Sequence, residues 1–142
     1  MPDVVVTVPR DVWPAWIAEG DAVGEPESGE EWGFYYATRP MPHLNVPGGH
    51  PTIRPGERVY IVAHGRLRGY SLLSRKERDP PALVRRGGAV AVTIPDAIPG
   101  FPGWRYRWWD VAIEVPFPGW RTEGIGKAPP AAQASLFPWS AP

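Results

Sequence analysis

Cysteine is absent from this chain of 142 residues, which excludes disulfides, thiol nucleophiles and cysteine-ligated zinc. Long apolar runs are missing too. None approaches the roughly 18 residues that a membrane-spanning helix needs, and the opening MPDVVVTVPRD has no basic start followed by an apolar segment. A cytoplasmic protein with no membrane partner is expected. Lysine is scarce, with Lys76 and Lys127 set against thirteen arginines. High-GC codon usage would produce that bias, yet arginine is also the side chain that meets phosphate with a flat, two-pronged donor face. Twenty prolines and sixteen glycines make one residue in four a chain breaker, so long helices are disfavoured and short strands joined by turns are expected.

The apolar fraction of 43% and seventeen aromatics suffice for one packed core, and the length suits a single domain. The formal net charge of zero conceals an asymmetry. Residues 1–31 hold eight acids and one base, Arg10, whereas residues 32–127 hold fourteen bases and seven acids, a balance of +7. The front of the chain is acidic and its body basic, a modest argument for a polyanionic partner.

DVVVTVP (3–9) is short and β-branched and predicts a first strand. RDVWPAWIAEGD (10–21) sets Trp13, Trp16 and Ile17 on one helical stripe, with Asp11 as a possible cap and Gly20 as a stop. AVGEPESGEE (22–31) predicts a polar loop, WGFYYAT (32–38) an aromatic strand, and the proline-rich 39–56 a long irregular excursion. Its His43 and His50 lack a third ligand at metal-site spacing, so no metal is expected. ERVYIVA (57–63), the turn His64-Gly65 and RLRGYSLL (66–73) predict a hairpin. RKERDPP (75–81) predicts a charged connector, and ALVRRGGAVAVTIP (82–95) a second hairpin about Arg86-Gly87-Gly88.

The candidate binding residues come from arginine–aromatic alternation. Strict period-two reading places Arg66, Arg68 and Tyr70 on one strand face, and Arg105 and Arg107 opposite Tyr106 and Trp108. An exposed aromatic stacks a base while adjacent arginines hold phosphates, and Trp32, Trp108 and Trp109 are the tryptophans assigned to that role. The competing reading is a core of large aromatics with its arginines solvated outside. The pentapeptide Phe-Pro-Gly-Trp-Arg occurs at 101–105 and again at 117–121. Two copies are too few for a solenoid, so each is expected to be a turn that feeds a tryptophan into the same wall. No catalytic residue is singled out: there is no G-x-S-x-G setting, no phosphate-cradling glycine loop, and no cofactor is expected. Asp110 and Glu114 would share a face only on a helix, which the flanking prolines disfavour.

Pro55-Gly56-Glu57-Arg58-Val59, followed after the turn by Arg68-Gly69-Tyr70-Ser71, resembles a hallmark of the PUA-like superfamily, which includes PUA, ASCH and EVE domains. The order of a strand, a short helix ending near a glycine and an aromatic strand is similar as well, and the likeness spans residues 3 to 115. The resemblance implies a mainly β (α+β) fold, a small pseudo-barrel of five to six strands with one or two short helices, over residues 1–123. It also implies binding of RNA or DNA, including modified bases. A few ASCH-type members resemble small amidohydrolases acting on acylated cytidine, through a lysine and threonine after the first helix and a glutamate farther on. Here that helix ends Ala18-Glu19-Gly20-Asp21-Ala22-Val23, without lysine, which weighs against the hydrolase alternative.

The Ala/Pro-rich 124–142 predicts a flexible tail. Within it Gln133, Ser135, Leu136 and Phe137 resemble the peptide by which bacterial replication and repair proteins dock on the sliding clamp. The alternatives are a tail folded back through Leu136, Phe137 and Trp139, or a domain that binds only proteins.

Overall fold

Valine-rich and alternating segments form strands wherever the sequence offers a face to bury. The computed structural model describes residues 2–13, 32–85 and 90–123. Eight strands follow in chain order: β1 Val4–Thr7, β2 Trp32–Tyr35, β3 Arg58–Ala63, β4 Arg66–Arg78, β5 Pro81–Arg85, β6 Val92–Thr93, β7 Trp104–Tyr106 and β8 Val115–Pro116. Two short 3-10 turns, Pro42–Leu44 and Val111–Ile113, interrupt the loops. The six-stranded sheet runs β2-β5-β4-β3-β1-β7, with β6 and β8 as a separate pair. It curls into a half-barrel, so the fold is the mainly β class expected. Among the described residues only β1 and β3 run parallel, joined in register from Val4 opposite Val59 to Thr7 opposite Val62.

The central strands of the sheet are buried on both faces. All six strands contribute to the cluster of Val4, Val6, Tyr36, Ile53, Val59, Leu73, Leu83 and Trp104, with Phe34 packed against it. Alternation sends Val5, Tyr60, Val62 and Leu67 to the opposite face, where Ile94, Ile98, Phe101 and Trp109 cover them. A third cluster joins Val8, Trp13, Ile61 and Ala63 to Phe117 and Trp120. The two Phe-Pro-Gly-Trp copies therefore do not share a wall. The first divides between two clusters and the second fills the third.

The β3–β4 turn is as expected. His64 and Gly65 both have positive φ, 51° and 78°, the conformation of a type I′ hairpin turn that matches strand twist. The next residues depart from strict alternation. Leu67 opposes Val62 and Gly69 opposes Ile61, so Arg68 is an extra, bulged residue. Beyond the bulge Tyr70 opposes Tyr60 and packs with the Tyr60 face, whereas Arg66 and Arg68 reach Phe117 on the other. The expected common face of Arg66, Arg68 and Tyr70 is thus split by one inserted residue. Gly69 sits where Val90 closes against the bulge: a Cβ there would meet the Val90 carbonyl oxygen at 2.6 Å, and Tyr70 exchanges backbone bonds with Val90 at 3.0 and 2.9 Å.

Two further expectations are corrected. The charged run 75–78 is strand, not connector, because β4 continues past the bulge and pairs with β5 before the Asp79-Pro80 turn. Residues 82–95 are not a hairpin either. β5 pairs with β2 and β4, and β6 pairs with β8; the Arg86-Gly87-Gly88 segment lies outside the described residues. Of the 10–21 helix, Val12 and Trp13 both donate to the Pro9 carbonyl at 3.0 Å, and 14–21 lie outside the described residues. No helix among the described residues is long and apolar enough to cross a membrane.

Candidate functional site

β7 and the 40–47 loop border an open groove of about 610 Å³, lined by Pro40, Pro42, Asn45, Val46, Pro47, Arg105, Tyr106 and Trp108. Short-range geometry builds it. Trp104 turns inward and becomes fully buried, which sends Arg105 to the opposite side of the strand. The Arg105 guanidinium lies 4.1 Å from the Trp108 ring centre and 5.0 Å from that of Phe101. Burial in this stack holds the Arg105 pKa below its ordinary value, so the cation has given up part of its hydration. Trp108 remains 46% exposed, braced edge-on by Trp109 at 5.0 Å and Phe101 at 6.3 Å. Tyr106 is also exposed, and its hydroxyl accepts the Thr52 N–H at 3.1 Å.

Behind this surface lies a carboxylate that sequence reasoning passed over. The Glu114 side chain is 6% exposed and accepts from Tyr60 Oη at 2.6 Å, from Trp109 Nε1 at 2.9 Å and from Arg58 Nη1 at 3.3 Å. Arg58 also donates to Tyr60 Oη at 2.9 Å and lies 4.1 Å above the Tyr70 ring centre. Burial, reinforced by the Glu114 bond, pushes the Tyr60 pKa up. Asp110 caps the 3-10 turn Val111–Ile113 by accepting the Ala112 N–H at 2.9 Å, which brings Glu114 back under Trp109. No fixed spacing announces such a cluster, because its members come from β3, β4 and the loop after β7.

The remaining predicted residues divide as follows. Arg66 pairs with Glu123 at 3.3 Å and lies 4.2 Å from the Phe117 ring centre. Arg68 is 1% exposed; it donates to the carbonyls of Ala63 at 2.7 Å, Trp120 at 3.0 Å and Glu123 at 2.9 Å. Burial and the neighbouring Arg66 lower its pKa to about 10. Arg107 does not share an outward face with Arg105: it turns back to Asp3 at 3.4 Å and to the Trp109 carbonyl. Tyr70 is half-buried beneath Arg58, and Trp109 is buried against Tyr60 at 5.1 Å. Trp32 opens β2 opposite Arg85, and its side chain, like Gln133, Ser135, Leu136 and Phe137, lies outside the described residues. Of the arginine–aromatic alternation, Arg105 and Trp108 are brought together at a surface; Arg68 and Arg107 serve internal contacts, and Arg66 pairs with Glu123 at the surface. His50 bonds Tyr36 Oη through Nδ1 at 2.8 Å, and no group of three metal-ligating side chains forms among the described residues.

A second concavity, about 430 Å³, opens between the two edges of the half-barrel, lined chiefly by Phe34, Tyr35, Tyr36, Met41, Phe101 and Thr7. At the hairpin turn, His64 borders a smaller recess with Arg10 and Thr7. Burial first, then the charges of Arg68 and Arg10, lower its pKa to about 4. The unfolded chain binds this proton below the ordinary 6.5 and the folded chain only near 4, so stability is expected to fall as pH drops through that window. The side chain is partly solvated, so the discounted loss is about 1 kcal/mol. In His64→Asn, which tolerates the positive φ, this part of the pH dependence of urea unfolding should vanish. An unchanged profile would assign it elsewhere.

Comparison with known proteins finds no matching family model, no matching curated protein and no matching solved structure.

Proposed function

We propose that this protein is a non-enzymatic nucleic-acid-binding module of PUA-like type, and that the groove beside β7 is its contact surface. The observation that carries the reading is the Arg105 guanidinium stacked 4.1 Å from an exposed tryptophan inside that groove. A half-exposed indole offers a base a flat partner worth about 1–3 kcal/mol, and the adjoining guanidinium supplies cation–π and phosphate contacts. The +7 balance of residues 32–127 agrees with a polyanionic ligand. The reading rests on Arg105 rather than on all four arginines of the alternation, because Arg68 is buried and Arg107 is turned back to Asp3, whereas Arg66 pairs with Glu123 at the surface.

The finer form, recognition of a modified base, is favoured by the 430 Å³ slot, whose aromatic walls suit a flat ring. Delivery to a bacterial sliding clamp through Gln133, Ser135, Leu136 and Phe137 is a separable part of the proposal. Capture by purified clamp should be lost in Leu136→Ala/Phe137→Ala. Nucleic-acid binding itself is tested by anisotropy titration with labelled single- and double-stranded RNA and DNA. Binding that tightens as salt is lowered is expected; failure to bind any of the four at low salt contradicts the proposal.

A further inference from the structure

β4 runs beyond its pairing with β3. That pairing ends at Leu72, whereas β4 continues through Arg75, Lys76, Glu77 and Arg78 with β5 alone as neighbour. Residues 75–80 of this arm are exposed. An exposed strand gains little from burial, so the charges along it call for an account of their own. Alternation separates them. Arg75 and Glu77 share one face, where Nε and Oε1 are 3.8 Å apart. Lys76 and Arg78 share the other, two residues and about 7 Å apart along the strand.

That second face meets the 48–54 strap. Lys76 Nζ donates to the Pro51 carbonyl at 3.3 Å, and Lys76, Arg78, Glu77, Tyr36 and His50 surround a small notch. One residue along the strap, the Thr52 N–H and hydroxyl bond Tyr106 Oη at 3.1 and 3.2 Å, and Tyr106 is a wall of the groove that holds Arg105 and Trp108. The surface is therefore continuous: groove, Tyr106, strap, then Lys76 and Arg78. Residues 33–56, which supply the loop and strap between, contain Arg39 and Arg54 but no Asp or Glu. The acids on the arm are Glu77, next to Arg75, and Asp79 at the turn.

Building on the groove reading, we infer that the β4–β5 arm is the phosphate-binding half of the same interface, with Lys76 and Arg78 holding phosphates of a single strand whose neighbouring base stacks on Trp108. Charge complementarity selects a polyanion, since cations stand at both ends of an acid-free strap. Trp108, 46% exposed beside the Arg105 guanidinium, and the 39%-exposed Tyr106 favour a single strand, because a base inside a duplex has both of its faces covered. Two cations one strand-repeat apart suit a backbone that is tracked without reading base edges.

The test is anisotropy with labelled single-stranded RNA, single-stranded DNA and the corresponding duplexes, on the full chain, across a salt series. Lys76→Ala/Arg78→Ala should weaken single-strand binding about tenfold at low salt and make the slope of log K against log salt shallower by about 1.4, two lost contacts at roughly 0.7 each. Arg75→Ala, on the opposite face, should leave affinity within about twofold, which separates a site from bulk charge. All three side chains are exposed, so the melting temperature should not move. If the double variant binds with unchanged affinity and slope while Trp108→Ala weakens binding, the arm is excluded and the groove stands. If duplexes bind as tightly as single strands, the single-strand assignment is overturned. If the wild-type chain binds none of them, both readings fall. Preference between the RNA and DNA strands identifies the sugar.

Discussion

Replacing Arg68 by methionine is expected to cost about 3 kcal/mol of folding stability and to lower the melting temperature by roughly 10 °C. The fully buried guanidinium holds three backbone carbonyls, Ala63, Trp120 and Glu123, which bind the 117–123 turn to the bulged strand. Hydrogen bonds from a charged donor contribute about 1.5–3 kcal/mol each. Against them stands the desolvation of the cation, several kcal/mol, which the methionine variant recovers. The balance favours destabilisation because three acceptors at the base of a packed aromatic cluster lose one donor together. Arg68→Lys should recover less than half of the loss, since one ammonium does not reproduce the planar fork. Urea unfolding followed by far-UV circular dichroism measures this. A methionine variant within about 0.5 kcal/mol of wild type would show that the three carbonyl bonds do no more than offset the desolvation of the buried cation.

Glu114→Ala should be comparably damaging, about 3 kcal/mol, because it strips the acceptor from Tyr60, Trp109 and Arg58 at once. Tyr60 is 0% and Trp109 7% exposed, so water does not readily replace the carboxylate. Glu114→Gln keeps one acceptor oxygen but turns an amide N–H₂ toward donors, and should cost about 1–2 kcal/mol. The milder variant carries the functional consequence. Trp109 braces Trp108 edge-on, so a loosened Trp109 should weaken oligonucleotide binding several-fold while the fold persists. Loss of stability with fully retained affinity would show that the buried network does not position the groove. The raised Tyr60 pKa adds a pH signature. Its neutral form is favoured by folding, so that contribution is complete below the ordinary 10 and is lost as pH climbs above it.

Local chemistry made much of the fold legible. The β-branched run of β1, the alternation of β3 and the His64-Gly65 turn are decided within a few residues, and those elements form as expected. The mainly β class follows from proline and glycine content. Elements that depend on distant partners were not legible. The bulge at Arg68 arises where Gly69 lets Val90 approach, and no period-two count anticipates an inserted residue. The run Arg75–Arg78 is strand because β5 folds back along it, although exposed charged strands and loops share a composition. The Glu114 cluster assembles three separate segments. The tryptophans were ambiguous for a related reason: Trp104, Trp108 and Trp109 have similar neighbours in sequence, yet β7 ends at Tyr106, leaving Trp104 and Trp109 buried and Trp108 at the surface.

Single-strand affinity of Trp108→Ala beside wild type, with Trp108→Phe as companion, bears most directly on the groove. Trp108 is half-exposed, so its removal should change stability by under about 1 kcal/mol. Losing the stacking surface should weaken binding by about 5- to 100-fold, with an almost unchanged salt slope, and phenylalanine should restore part of it. A Trp108→Ala chain that folds normally and binds a single strand as tightly as wild type would contradict the account.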